Sequence, residues 1–246
     1  MSKNRWILVL GSNSDIAFAV ASKFAKEGYN IYLASRNLIE CQKNAYDISL
    51  RYDIETKILK FDALDFQSHE DVYNNLVIKP VGVILAFGFM ANQNEAQNNF
   101  HLSKTMVETN YIGSISILEI ISKDFEKRKS GFIVGISSVA GDRGRMSNYI
   151  YGSTKAAFTV YLAGLRHRLF KSNINVLTVK PGFVFTKMTE ELNLPTLLTS
   201  TPSQVADSIY YSVNKNKSTI YVGRKWRFIM LIIIHLPNFL FNRTKL

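Results

Sequence analysis

Short apolar runs alternate with long segments of helical spacing along most of the chain. The runs are Ile7 to Leu10, Ile31 to Ala34, Lys57 to Phe61, Val81 to Ala86, Phe132 to Ile136 and Asn175 to Val179, each of buried-strand length. Between and after them, helical spacing covers Ile16–Lys26, Asn37–Arg51, Ser68–Leu76, Ser103–Arg128, Tyr151–Phe170 and Ser203–Val213, and Tyr221 reads as part of a further strand. Strand, helix, strand in this rhythm predicts an α/β fold: a doubly wound parallel sheet with helices on both faces. One domain is expected over residues 1–223, followed by an apolar, basic C-terminal extension over 224–246.

Composition narrows the function classes. The chain has 246 residues, 47% of them hydrophobic, enough for a large buried core and too many for a disordered basic tail protein. A single cysteine, Cys41, excludes an intramolecular disulfide framework and fits a reducing compartment. His69, His101, His167 and His235 show no ligand spacing, so no metal is expected. The run from Trp6 stops at Gly11 and is too short for a secretory signal.

The formal charge is +11, and +6 of it lies beyond residue 191, where Lys215, Lys217, Arg224, Lys225, Arg227, Arg243 and Lys245 face one acid, Asp207. Nucleic acid, an anionic membrane surface and a phosphorylated ligand all satisfy such a balance. The tail from Trp226 to Phe241 is apolar but interrupted by His235, Pro237 and Asn238. A single crossing helix needs ~20 apolar residues, so this segment does not span a bilayer. It is either an interfacial anchor flanked by cations or a segment packed on the core or a subunit partner.

The first strand ends in Gly11-Ser12-Asn13-Ser14-Asp15-Ile16, a tight turn whose amides open a helix and face a phosphate. About twenty residues on, where an NAD site places an acid for the ribose diol, stand Ser35 and Arg36. They suit a 2′-phosphate, which favours NADP(H) over NAD(H).

The chemistry-bearing constellation is Ser138 with Tyr151 and Lys155. Residues four apart on a helix share a face, so Lys155 lies beside Tyr151, and an ammonium there favours the phenolate and lowers the phenol pKa. Two other Tyr-x-x-x-Lys pairs occur, Tyr211/Lys215 and Tyr221/Lys225, the second with Ser208 at the same upstream offset. Context separates them: Tyr221 lies in a strand, where a lysine four residues on is ~13 Å away. Only the Ser138 set has its serine at a strand end and its Tyr/Lys pair opening a helix.

With the Gly11 turn, Asp62, Asn110 and the stretch Pro181-Gly182-Phe183-Val184-Phe185-Thr186, this set resembles the short-chain dehydrogenases/reductases over Ile7 to about Gly223. The resemblance implies a Rossmann fold, with Tyr151 as the acid, Ser138 polarising a carbonyl, Lys155 on the nicotinamide ribose, and Asn110 holding a water behind Lys155. It also implies Asp62 on the adenine, with Ala63 and Gly88 nearby, and Pro181, Gly182, Val184 and Thr186 on the nicotinamide side. Two positions depart from the family pattern: Leu85-Ala86-Phe87-Gly88 keeps only the glycine of the usual Asn-Asn-Ala-Gly turn, and Asp15 replaces a turn glycine. These departures, with Gly141–Arg145 and Ser147–Lys155, are similar to a narrower subgroup containing the reductase of decaprenylphosphoryl 2-keto-pentose.

The expected activity is therefore NADPH-dependent reduction of a ketone, with a keto-sugar on a lipid phosphate as the preferred substrate class. Acyl or small soluble ketones are the alternative, and an idle dinucleotide-binding scaffold is the alternative from another class. An apolar lid is expected over about 187–203, carrying Met188, Leu192, Leu194, Leu197 and Leu198. Arg143 and Arg145 border the pocket, for a substrate phosphate or a loop ion pair. The resemblance further implies a homodimer or homotetramer through Ser103–Arg128 and Tyr151–Phe170. The expected setting is the cytoplasm, peripheral on the inner membrane face if the tail makes contact, with no nucleic-acid partner.

Overall fold

Trp6–Leu10 forms the first strand, β1, and all five of its side chains are fully buried. A strand covered on both faces belongs inside a parallel sheet. A computed structural model of the chain describes residues 4–190 and 194–244; Leu192 of the expected lid and Lys245 of the basic tail lie outside the described residues. The further strands are β2 (Asn30–Ser35), β3 (Thr56–Lys60), β4 (Gly82–Leu85), β5 (Gly131–Ile136), β6 (Ile174–Pro181), β7 (Phe183–Val184), β8 (Thr199–Ser200) and β9 (Thr219–Val222). The helices are α1 (Asp15–Lys26), α2 (Leu38–Tyr52), α3 (His69–Asn74), α4 (Gln93–Asn98), α5 (Phe100–Val107), α6 (Gly113–Arg128), α7 (Tyr149–Leu169), α8 (Pro202–Asn214), α9 (Arg224–His235) and α10 (Asn238–Phe241).

The main sheet runs β3-β2-β1-β4-β5-β6-β9, every pair parallel, and β7 pairs with β8 apart from it. The chain winds outward from β1 to β3, then restarts at β4 on the other side of β1. That reversal opens a crevice at the C-terminal strand ends. Register places the crevice: Leu10 pairs with both Ala34 and Leu85, so the turns after β1, β2 and β4 share one edge. Alternation along β1 sends Ile7 and Val9 into a core layer with Phe24, Ile48 and Ile209, and Trp6, Leu8 and Leu10 into a second with Ile117, Phe125 and Phe158. The doubly wound reading holds, and the six apolar runs match β1 to β6 within two residues at each end.

The structure differs from the pattern in three places. The single helix expected over Ser103–Arg128 is interrupted by a π-helical turn, Glu108–Ile112, between α5 and α6. Side-chain spacing does not register one inserted residue, and such turns recur at functional sites. Helix α4 has too few apolar positions to be read as one; Asn92 starts it by accepting from the amide of Asn94 at 2.9 Å. The tail folds as α9 and α10. Trp226, Met230 and Ile233, one stripe of α9, are buried against Val139, Phe183, Leu198 and Tyr221, so the packed alternative holds for that stripe.

Candidate active site

The turn after β1 is built by close approach. Gly11 has φ +81°, and a Cβ there would come within 2.6 Å of the Phe87 amide nitrogen. Both features demand glycine and draw the β1 and β4 turns together. Ser14 caps α1, accepting from Ala17 N at 3.2 Å, while Asn13 donates to Asn37 O at 2.9 Å. Ser12 is the exception among the expected cofactor residues. It is fully buried, with its hydroxyl 3.5 Å from Cys41 Sγ, and faces the core instead of the crevice. Asp15 turns its carboxylate toward the segment expected to form a lid and accepts from Lys187 N at 2.8 Å. That bond draws the negative charge of Asp15 to the Lys187 amide.

One cavity of about 360 Å³ lies on the β2 side of this turn, lined by Gly11, Asn13, Ser14, Ser35, Arg36, Asp62, Ala63 and Gly88 among others. Arg36 is exposed there and forms no ion pair among the described residues. Asp62 shapes the wall by accepting from Leu64 N at 3.0 Å and by offering its carbonyl to His69 Nε2 at 2.9 Å. A second cavity, about 370 Å³, lies on the β5 side, lined by Ser138, Tyr151, Lys155, Ile16, Pro181, Gly182, Val184, Thr186 and Met188. Asn13, Ser14, Phe87, Gly88 and Met188 line both, so the two cavities adjoin across the switch point.

Two adjacent serines follow β5, and their bonding separates their roles. Ser137 is buried, donating to Lys155 O at 3.0 Å and lying 2.7 Å from Thr159 Oγ1. Ser138 is extended, accepts from Ala140 N at 3.1 Å, and borders the cavity. Tyr151 and Lys155 stand one turn apart near the start of α7. Lys155 Nζ is 5.7 Å from the Tyr151 ring centre and donates to Ile136 O at 3.1 Å. Burial governs both groups. It pushes the Tyr151 phenol up to about 12, against a smaller opposing pull from the Ser138 hydroxyl. It also lowers the Lys155 ammonium to about 8. The expected lowering of the Tyr151 pKa is thus reversed here, because desolvation of the phenolate outweighs the hydrogen bond from Ser138. A phenol held protonated is suited to giving a proton.

Asn110 sits within the π-helical turn behind this pair. Its Oδ1 accepts from Phe89 N at 2.7 Å, and its Nδ2 donates to Phe89 O at 2.8 Å and Thr154 Oγ1 at 3.0 Å. It therefore ties the β4 loop to α7 beside Lys155. The competing tyrosines are elsewhere: Tyr211 is exposed on α8, and Tyr221 donates to Asp142 Oδ2 at 2.7 Å. Gly182 carries an unexpected load, since a Cβ there would fall 1.9 Å from Trp226 Nε1. The indole lies on the Pro181-Gly182 turn and donates to Leu198 O at 2.8 Å, binding the tail to the cavity wall. Met90 and Asn148 also line the cavity. No spacing rule points to Met90, which sits in a loop after Gly88.

Comparison with known proteins identifies the family. The family model for short chain dehydrogenases matches residues 5–196. An uncharacterized oxidoreductase of Mycobacterium tuberculosis is 30% identical over 96% of both chains, and another from Streptomyces coelicolor is 30% identical over 97% of this chain and 95% of its own. A short-chain dehydrogenase from Sphingobium yanoikuyae, solved in complex with NADPH, superposes with a TM-score of 0.81 at 20% identity, covering 92% of each chain. The chain belongs to the short-chain dehydrogenase family of oxidoreductases.

Proposed function

We propose that the protein is an NADPH-dependent reductase that converts a ketone to a secondary alcohol. The observation that carries this reading is the convergence of Ser138, Tyr151 and Lys155 on one cavity that adjoins a second cavity bordered by an unpaired Arg36. The crevice residues fit a dinucleotide. The Gly11 turn leaves no room for a side chain, α1 begins with Asp15 and Ile16 on the crevice wall, and Arg36, without an ion pair among the described residues, offers a cation for a 2′-phosphate. Asn13, Ser35, Asp62, Ala63 and Gly88 hold the adenosine half; Pro181, Gly182, Val184 and Thr186 hold the nicotinamide half. When bound, the cofactor supplies the hydride. Tyr151 delivers the proton to the carbonyl oxygen, and Ser138 donates a hydrogen bond to the same oxygen as charge develops on it. Lys155 holds the ribose beside Tyr151, and Asn110 orders the backbone and water behind Lys155.

A keto-sugar on a lipid phosphate is the preferred substrate. Met90, Phe183 and Met188 make part of the cavity wall apolar, and the second stripe of α9 faces outward. Phe228, Leu231 and Ile232 are exposed on that stripe, Phe239 and Leu240 are exposed on α10, and Lys225, Arg227 and Arg243 are exposed alongside them. An apolar stripe edged by cations suits the surface of an anionic bilayer. No described helix is long and apolar enough to cross a membrane. Exposed Val107 on α5 and Val160 on α7 leave apolar surface for a second copy of the chain. NADPH oxidation measured across lipid-linked keto-sugars, acyl ketones and small carbonyls tests the proposal. Turnover confined to the first group is expected; turnover of small carbonyls alone removes the lipid reading, and no turnover of any removes the reductase.

A further inference from the structure

The loop joining β5 to α7 carries three charged side chains, and two of them are fully engaged. Asp142 is ion-paired with Lys180 and accepts from the Tyr221 hydroxyl. Arg143 reaches the end of α9, donating to the carbonyls of Ile233, Ile234 and Leu236 and to Asn238 Oδ1 at 2.9 Å, with its guanidinium 3.9 Å over the Phe241 ring. It satisfies the free carbonyls of a helix end, so the expectation of a substrate phosphate does not apply to Arg143. Arg145 differs. It is 8% exposed, lines the cavity that holds Ser138 and Tyr151, and its Nε and Nη2 meet no acceptor among the described residues.

A guanidinium with Nε and Nη2 buried and without acceptors is costly, and burial lowers its affinity for the proton. Asp142 is the one nearby carboxylate to act on it, and both Asp142 oxygens are already taken by Lys180 and Tyr221. The cavity wall holds three cations, Arg145, Lys155 and Lys187, against one acid, Asp15, which accepts from the Lys187 amide. Asn148, on the same wall, leaves its buried Oδ1 without a donor among the described residues. The missing partner of this wall is therefore an oxyanion for the fork of Arg145, with a hydroxyl beside it for Asn148.

We propose that Arg145 is a specificity-determining residue that binds a phosphate-ester group of the substrate inside the catalytic cavity, with Asn148 accepting from a substrate hydroxyl. This rests on the reductase reading for the word substrate, and the site itself stands on the unpaired guanidinium. A soluble phosphate ester and a lipid phosphodiester present the same oxygens to Arg145, so the assay carries both.

The test compares dihydroxyacetone phosphate with dihydroxyacetone, and a polyprenylphosphoryl keto-pentose with the free keto-pentose, by NADPH oxidation. Wild type should prefer the phosphorylated member of at least one pair by about tenfold to a hundredfold in kcat/KM, and the responsive pair shows whether the ester is soluble or lipid-borne. Arg145→Met should bring that ratio near one, and Arg145→Lys should keep part of it. Phenyl phosphate titrated calorimetrically into NADPH-saturated protein gives an independent reading. Binding weakened about tenfold or more in Arg145→Met supports the site even if no ketone turns over, in which case only the reductase reading falls. Equal phenyl phosphate binding by wild type and a folded Arg145→Met, or an unchanged substrate ratio, overturns the proposal.

Discussion

At the scale of single residues, Lys155 joins a cost in stability to its proposed catalytic role. Burial lowers its pKa to about 8 from an unfolded value near 10.5. Below pH 8 both states are protonated, and the folded state carries the full cost of the buried ammonium. Between pH 8 and 10.5 the folded state sheds its proton first, so the cost fades as pH rises. Lys155→Met should therefore stabilise the fold at pH 7 by on the order of 2 kcal/mol, after allowing for the lost bond to Ile136 O, while removing activity. Thermal melts at pH 7 and pH 10 check this: the gain should shrink at the higher pH, and a pH-independent difference contradicts it. Arg36 carries a second residue-scale prediction. Arg36→Asp should weaken NADPH binding by about tenfold or more and leave NADH binding nearly unchanged, read by cofactor fluorescence titration; equal losses would remove the 2′-phosphate assignment. Spacing and strand-end position pointed to Ser138, Tyr151, Lys155 and Arg36, and the structure places all four on the two cavities. Ser12 was not readable in this way, because a string of residues in a turn does not say which side chain points inward, and here Cys41 takes it. Arg143 and Arg145 are two positions apart and look alike in the sequence; only the placement of α9 separates them.

Among the elements, the decisive packing is that of α9 on the turn after β6. Trp226 covers Gly182 so closely that any side chain there must displace the indole or the strand. Gly182→Ala should destabilise the protein by about 2–4 kcal/mol, as overpacking against a rigid ring. Trp226→Ala, which opens a void at 3% exposure, should cost about 3–5 kcal/mol. Denaturant titration of both variants measures these losses, and wild-type midpoints would mean that α9 is not part of the folded unit. The strand pattern made β1, β2, β4 and β5 legible because each is buried and largely apolar on both faces, while the edge strand β3 showed through Ile58 and Leu59 between its exposed lysines. The break between α5 and α6 was illegible because both flanking helices keep their apolar spacing through it, and its function, presenting Asn110 to Phe89 and Thr154, depends on residues far away in sequence.

For the molecule as a whole, the crevice at the strand ends and the tail form one continuous arrangement. The loop after β5 supplies Ser138 to the cavity, Asp142 to the β6–β9 edge and Arg143 to the tail, so the tail is anchored by the same loop that frames the chemistry. Deleting the tail at Gly223 would thus disturb the site itself. Replacing Phe228, Leu231 and Ile232 by serine alters only the exposed stripe. That triple variant should lose sedimentation with anionic liposomes and keep its melting temperature; retained sedimentation would remove the membrane face from the account. The central claim is that Tyr151 gives the proton in a ketone reduction, and its most direct test is turnover and NADPH binding measured on Tyr151→Phe. A fall in kcat of about a thousandfold with NADPH affinity within about twofold of wild type is the predicted result; turnover at the wild-type rate would contradict it.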